Sequence, residues 1–134
     1  MQDQGFYPHL KSDKFAALIG IREDKDEDGK PLLSLKIEEH HLNGVDTAQG
    51  GCIFTLADYA FALACNSDRR ISVALNLSTH FINPARLGDV LTTKVREISR
   101  RRVISIYEIN VINQDGKSIA TFTATAYRIG EAES

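Results

Sequence analysis

Cys52-Ile-Phe-Thr-Leu-Ala-Asp-Tyr-Ala-Phe-Ala-Leu-Ala-Cys65 is rich in Ala and Leu and apolar on nearly every side. That pattern predicts a helix buried all round. It is too short for a bilayer, which takes about 20 apolar residues, so it reads as a core helix of a globular domain. Its few polar side chains, Thr55, Asp58 and Tyr59, stand at i, i+3 and i+4 and share one stripe. A buried carboxylate is costly unless partnered. Asp58 is therefore either a deliberately desolvated functional group, a structural hydrogen-bond acceptor, or a residue at a wet subunit interface.

Immediately before this run stands Gln49-Gly50-Gly51. Glycines allow a sharp turn and let a ligand approach the main chain. The first N–H groups of a helix have no internal partner and carry the positive end of its dipole. Gly51 is thus a candidate oxyanion donor, the plain alternative being a glycine-rich turn entering a helix. Gly51 and Asp58 are seven residues apart, or about 10 Å along the axis. A base and an oxyanion donor must both lie within about 3 Å of the reacting atoms. One helix cannot easily supply both. A two-fold dimer with helices side by side would set Gly51 of one subunit against Asp58 of the other.

Outward from the helix the pattern changes. Pro8 to Ile19 reads as a short amphipathic helix with Leu10, Phe15, Ala16 and Leu18 on its apolar face. Ile19 to Lys25 and the alternating Leu33, Leu35, Ile37 read as a hairpin about the Asp26–Lys30 turn. His40 to Gly51 is a polar loop. Val73–Ile82, Val90–Ile98, Val103–Ile112 and Ile119–Ile129 are strands, the last two joined by a second Asp-Gly turn at Asn113–Lys117. Ala120, Ala124 and Ala126 share one strand face and leave room for a close helix. The expected fold is α+β: a helix inserted between a hairpin and a four-stranded antiparallel meander, with a curved sheet wrapped around it. Residues 1–134 form one domain, with no repeat or linker.

The 43% hydrophobic content suits a globular core at this length. A formal net charge of −2 argues against a nucleic-acid binder. Met1 to Gly20 lacks a basic region followed by an apolar run, so no signal peptide is expected, and no stretch reaches membrane-span length. On one helix, Cys52 and Cys65 would be about 20 Å apart, beyond the roughly 7 Å that a disulfide tolerates. A reducing, cytoplasmic setting is expected.

Leu42-Asn43-Gly44, Gln49-Gly50-Gly51, Leu56-Ala57-Asp58-Tyr59-Ala60-Phe61-Ala62, Ala64-Cys65-Asn66 and Phe81-Ile-Asn-Pro-Ala-Arg-Leu-Gly-Asp89 together resemble the hotdog-fold thioesterases of the phenylacetic-acid-degradation (PaaI-like) type. The resemblance spans roughly residues 33 to 130. It implies hydrolysis of acyl-CoA thioesters without metal or prosthetic group, by dimers that usually pair into tetramers. By matched position Asp58 would be general base or nucleophile, Gly51 N–H the oxyanion hole, and Asn43 the group orienting substrate or water. Gly50, Thr55 and Tyr59 would line the substrate. The family usually reads His-Gly-Gly, whereas Gln49 stands first here. Glutamine donates a hydrogen bond but does not titrate near neutral pH.

Cys52, near the helix N-terminus where a thiol's pKa falls, is a further nucleophile candidate, against the commoner role of a small core residue. His40, His41 and His80 lack metal-ligand spacing and fit surface or loop roles. Arg100-Arg101-Arg102 forms a basic corner whose forks suit the phosphates of coenzyme A, a solvated turn being the alternative; Arg69-Arg70 is another. Tyr59 and Phe61 could shape an acyl pocket or simply pack the core. Competing functions are a hotdog dehydratase, disfavoured by the missing loop histidine, and a non-catalytic acyl-CoA binding module on the same fold.

Overall fold

A computed structural model of the chain describes residues 5–132. The start of the Met1–Gly20 stretch and the last two residues lie outside that range. In chain order the elements are α1 (Lys14–Ile19), β1 (Arg22–Lys25), β2 (Pro31–Lys36), α2 (Gly50–Cys65), β3 (Arg70–Phe81), β4 (Val90–Arg100), β5 (Ile104–Ile112) and β6 (Ser118–Glu131). The six strands form one antiparallel sheet in the order β1-β2-β4-β5-β6-β3. The long helix packs across β2, β3, β4, β5 and β6. This is the α+β hotdog arrangement of a sheet around a central helix.

The meander is shorter than the sequence implies. Only β4, β5 and β6 follow one another. β3 lies at the far edge, paired with β6 in the register Leu77↔Ala124 and Thr79↔Phe122. Lying across the sheet, α2 carries the chain from β2 to the opposite edge, and the β3–β4 connection returns it. The helix hands over through Asn66, whose side chain donates to Ala62 O and accepts from Ser72 N, both at 2.8 Å. Asp68 and Arg69 then turn in the left-handed region at φ 56° and 65°.

Local chemistry accounts for the turns. At Asp26–Lys30 and at Asn113–Lys117, the first side chain accepts from the backbone N–H groups two and four residues on. The glycine of each, Gly29 and Gly116, has φ 77°, a conformation glycine adopts without a Cβ penalty. Burial in β5 alternates without interruption from Ser105 to Val111, the period-2 signature of a half-buried strand. Ala120, Ala124 and Ala126 are fully enclosed beneath the helix beside Phe122.

Two helical expectations need correction. The first helix is not Pro8–Ile19 but Lys14–Ile19, because Asp13 caps it by accepting from Ala16 N at 2.9 Å and Gly20 ends it at φ 93°. Of the face expected to be apolar, Ala16 is buried and Leu10 partly so, while Phe15 and Leu18 are exposed. A helix this short has room to bury little more than one side chain. Nor is α2 buried all round. Ile53, Leu56, Ala57, Tyr59, Ala60, Phe61, Leu63 and Cys65 enter the core. Gly51, Thr55, Asp58 and Ala62 keep partial or full exposure. Those four stand at i, i+4, i+7 and i+11, which makes them one open stripe.

The sheet edges differ in kind. β1 is four residues long and reads Arg-Glu-Asp-Lys, the short charged edge that resists further pairing. β3 runs for twelve residues and exposes Ile71, Val73 and Leu75, the last at 57%.

Candidate active site

The polar loop before α2 is fixed by its own side chains. Asn43 Oδ1 accepts from Val45 N at 3.0 Å and Thr47 N at 3.1 Å, and its Nδ2 donates to Thr47 Oγ1 at 3.0 Å. Ala48 N donates to Ala85 O, and Gln49 N to His41 O, both at 2.8 Å. His41 anchors this frame. It accepts from Glu38 N at 2.9 Å through Nδ1, and its Nε2 donates to Ile19 O at 2.7 Å. His41 is buried, so of the surface and loop roles expected for it the loop role is the one it takes. His40 and His80 are exposed.

The helix begins two residues earlier than its composition implies, which brings Gly50 and Gly51 into its first turn. Gln49 is the N-cap, and its Oε1 accepts from Gly51 N at 2.6 Å. The N–H singled out as oxyanion donor is thus held by the residue that departs from the family pattern. Beside it lies a cavity of about 350 Å³ bounded by Asn43, Gly50, Ile53, Phe81 and Ala85. The exposed Phe81 ring lies over Gly50, where an added Cβ would stand 3.1 Å from its Cζ. Phe54 and Phe81 both meet Phe122 edge-on, at centroid distances of 5.9 and 6.4 Å. Composition alone had not marked Phe54, because a phenylalanine in an Ala/Leu-rich helix reads as core.

Asp58 lies on the open stripe, half-buried, with no hydrogen-bond or ion-pair partner among the described residues. Within the chain, no described group uses it as a structural acceptor. Burial pushes its carboxyl above the ordinary carboxylate range, and the charge of Asp13 adds to the rise. Asp13 reaches it because α1 packs on α2. No sequence signal links two residues so far apart. Thr55 Oγ1 donates to Gly51 O at 2.8 Å. Tyr59 turns away from the stripe. It is buried and donates to Glu23 Oε2 at 2.7 Å across to β1, so packing explains it. Phe61 is likewise core, edge-on to Tyr107 at 5.8 Å.

Burial pushes the Cys52 thiol up, opposite to the fall expected at a helix N-terminus, and the Cys65 thiol up to about 12. In both cases burial is the leading cause, and it favours the neutral thiol over the thiolate. Arg100 is committed: Nε pairs with Glu97 at 2.6 Å, one terminal nitrogen pairs with Asp68 at 3.2 Å, and the other donates to Ser67 Oγ at 2.9 Å. It braces the C-terminal end of α2, the end remote from Gly51. Arg101 and Arg102 are exposed. Among the described residues no group of three or more His, Cys, Asp or Glu converges as a metal site, and no helix is long and apolar enough to cross a membrane.

Comparison with known proteins agrees with this geometry. The family model for the thioesterase superfamily matches residues 46–120. Acyl-coenzyme A thioesterase PaaI of Escherichia coli (strain K12) is 32% identical over 127 residues, spanning 95% of this chain and 91% of its own. The solved structure of the E. coli PaaI protein from the phenylacetic acid degradation operon superposes at TM-score 0.84 and 32% identity, over 90% of this chain and 87% of that one. A hypothetical thioesterase from Streptococcus pneumoniae TIGR4, solved with coenzyme A, superposes at TM-score 0.78 and 27% identity, over 85% and 89% of the two chains. The chain belongs to the thioesterase superfamily, as an enzyme of its hotdog-fold, PaaI-like acyl-CoA thioesterase branch.

Proposed function

We propose that the enzyme hydrolyses acyl-CoA thioesters, aromatic or medium-chain, at two composite sites of a homodimer that pairs further into a tetramer. The observation that carries the reading is Asp58: a half-buried carboxylate without a partner among the described residues, on the same open stripe as Gly51. In this scheme ionised Asp58 takes a proton from water as the water oxygen attacks the thioester carbon. The Gly51 N–H of the other subunit holds the developing oxyanion. Collapse breaks the C–S bond, and Asp58 returns the proton to the leaving thiolate, giving free acid and CoA. A carboxyl raised above its ordinary range is the better base near neutral pH. Direct attack by Asp58 through an anhydride is the other route; label found in Asp58 after a single turnover in ¹⁸O-water, from water opening the anhydride at the Asp58 carbon, would identify it.

Supports for the pairing are the open helix stripe and the apolar β3 edge, which a second copy would extend by antiparallel pairing. Asn43 would fix the loop that borders the substrate rather than touch the thioester, since its carboxamide is occupied within the loop. Gly50 and Thr55 would line the approach. In this scheme Arg101 and Arg102 meet the nucleotide phosphates, Arg100 being already paired. The reaction uses water and the chain's own groups. A reducing, cytoplasmic setting fits two free cysteines.

A non-catalytic binding module has one observation in its favour, the capping of Gly51 N by Gln49. The test is thiol release from a panel of aromatic and aliphatic acyl-CoAs. Wild type turns over, and Asp58→Asn, still folded, loses about 100-fold or more. Saturable binding without cleavage by wild type would overturn the hydrolase reading.

A further inference from the structure

We propose that Asn83 is a substrate-binding residue: its carboxamide oxygen, held at the wall of the cavity beside α2, accepts a hydrogen bond from a neutral N–H or O–H of the acyl-CoA. This rests on the reading of that cavity as part of the acyl-CoA site. Phe81 to Ala85 carry the chain off the end of β3 and form one wall of it. The corner is tied on both sides. Ile82 N and Asn83 N donate to Ile119 O at 2.8 and 3.3 Å, and Ala85 O accepts from Ala48 N, in the loop before α2, at 2.8 Å. Asn83 is half-buried there, and its Nδ2 donates to Ser118 O at 2.7 Å. A carbonyl oxygen only accepts, so the nitrogen faces Ser118 and the orientation of the amide is fixed. Ser118 is not part of the cavity wall. The oxygen, on the other side of the carboxamide, is the end left to the cavity, and it has no hydrogen bond among the described residues.

The rest of the lining defines what can use that oxygen. Ile53, Phe81 and Ala85 are apolar, and the polar side chains of Asn43 and Thr47 are bonded to each other. None of the described lining residues is ionisable. A carboxylate on the ligand would meet an acceptor and no cation there, whereas a neutral donor satisfies the amide without burying a charge. An acyl-CoA can bring such a donor from the amide N–H groups of its pantetheine arm or from a hydroxyl on the acyl group. One neutral hydrogen bond of ordinary net strength is worth about 2- to 10-fold in affinity. In the sequence Asn83 is marked only as part of the Phe81–Asp89 stretch. Its tie to Ser118 follows from β6 lying beside β3.

The test is equilibrium binding of CoA thioethers, which are not hydrolysed. One matched pair is an S-alkyl-CoA with and without a hydroxyl, the hydroxyl being moved along the chain. The other is an S-alkyl-CoA with its pantetheine amides free or N-methylated one at a time. Asn83→Leu keeps the branched shape and removes the oxygen; Asn83→Ala also removes it and serves if the first misfolds. In one pair, the advantage of the donor-bearing probe over its match is expected to shrink by about 2- to 10-fold in both variants. Loss in the N-methyl pair assigns the donor to the pantetheine arm, and loss in the hydroxyl pair assigns it to the acyl group. If the variants weaken every probe by the same factor, or none, Asn83 only braces the corner and the proposal fails. Thioester turnover on the same preparations separates the two levels. Cleavage that persists while both variants treat every pair as wild type does leaves the acyl-CoA reading standing and removes only the role of Asn83. A wild type that neither binds the thioethers nor cleaves thioesters overturns both.

Discussion

Gly51→Ala should separate activity from stability. The added methyl would lie 2.6 Å from Gln49 Oε1, the far end of an exposed, flexible side chain. The carboxamide yields and the backbone does not. Losing the cap costs about 0.5–2 kcal/mol. Against this, alanine is favoured over glycine in a helix interior by about 1 kcal/mol, somewhat less in the first turn. The two nearly cancel, leaving a net change within about 1 kcal/mol and a midpoint moved by no more than about 5 °C in a chain of this size. Activity has no such compensation. The methyl crowds the N–H proposed to hold the oxyanion, and loss of one such donor lowers kcat by about 10²–10³. Thermal unfolding and thiol release on the same preparation read both quantities. A variant within fivefold of wild-type kcat would refute the donor role of Gly51. A loss of more than about 3 kcal/mol would refute the claim that only Gln49 yields.

Asp13→Asn removes a charge while keeping the α1 cap, since asparagine caps as well as aspartate. Burial and then Asp13 hold the Asp58 carboxyl above its ordinary range, so the variant favours ionised Asp58. The acid limb of the kcat/KM profile then moves to lower pH; a limb that stays put would show that Asp13 does not act on the base. A carboxyl raised in the fold lends stability at acid pH and loses that contribution as pH rises through its folded pKa. Asp58→Asn should therefore be more stable than wild type above that window, with no gain below it, as read from unfolding midpoints against pH. Leu75→Arg places a charge on the exposed β3 edge. The lone subunit should lose no more than about 0.5 kcal/mol, while light scattering reports monomer and turnover collapses. A monomer that retains turnover would rule out a site shared between subunits.

The long helix, the strands and both Asp-Gly turns were legible because each rests on local periodicity or on one residue's backbone freedom. Asp58 stood out for a related reason, as a lone carboxylate in an apolar run. What escaped depends on contacts distant in sequence. The Asp13 cap shortened α1, and the path of α2 across the sheet sent β3 to the edge, where its apolar residues are exposed rather than central. Tyr59 shared a polar stripe with Asp58 by spacing, yet Glu23, on a strand far earlier in the chain, draws its hydroxyl away. The Arg100–Arg102 corner was visible as charge, but its pairing with Ser67 and Asp68 follows only from how the end of β4 meets the end of α2.

Two features of the lone subunit are costly by themselves, and under the proposed pairing one event relieves both. An unpartnered carboxylate on an open helix stripe is desolvated with nothing to offset it. A twelve-residue edge that exposes Ile71, Val73 and Leu75 invites uncontrolled association. Antiparallel pairing of two β3 strands about a two-fold axis would close the edge and bring the two α2 stripes together. Gly51 of one helix would then stand against Asp58 of the other, closing the gap of about 10 Å that separates the two within a chain. The small residues along that stripe, Gly51 and Ala62, are what such an approach requires, since bulk there would hold the helices apart. The charged β1 edge carries the complementary instruction, limiting the sheet to one extension. Activity and assembly are thus predicted to fail together in Leu75→Arg, and to separate in Asp58→Asn, which keeps the dimer while losing the reaction.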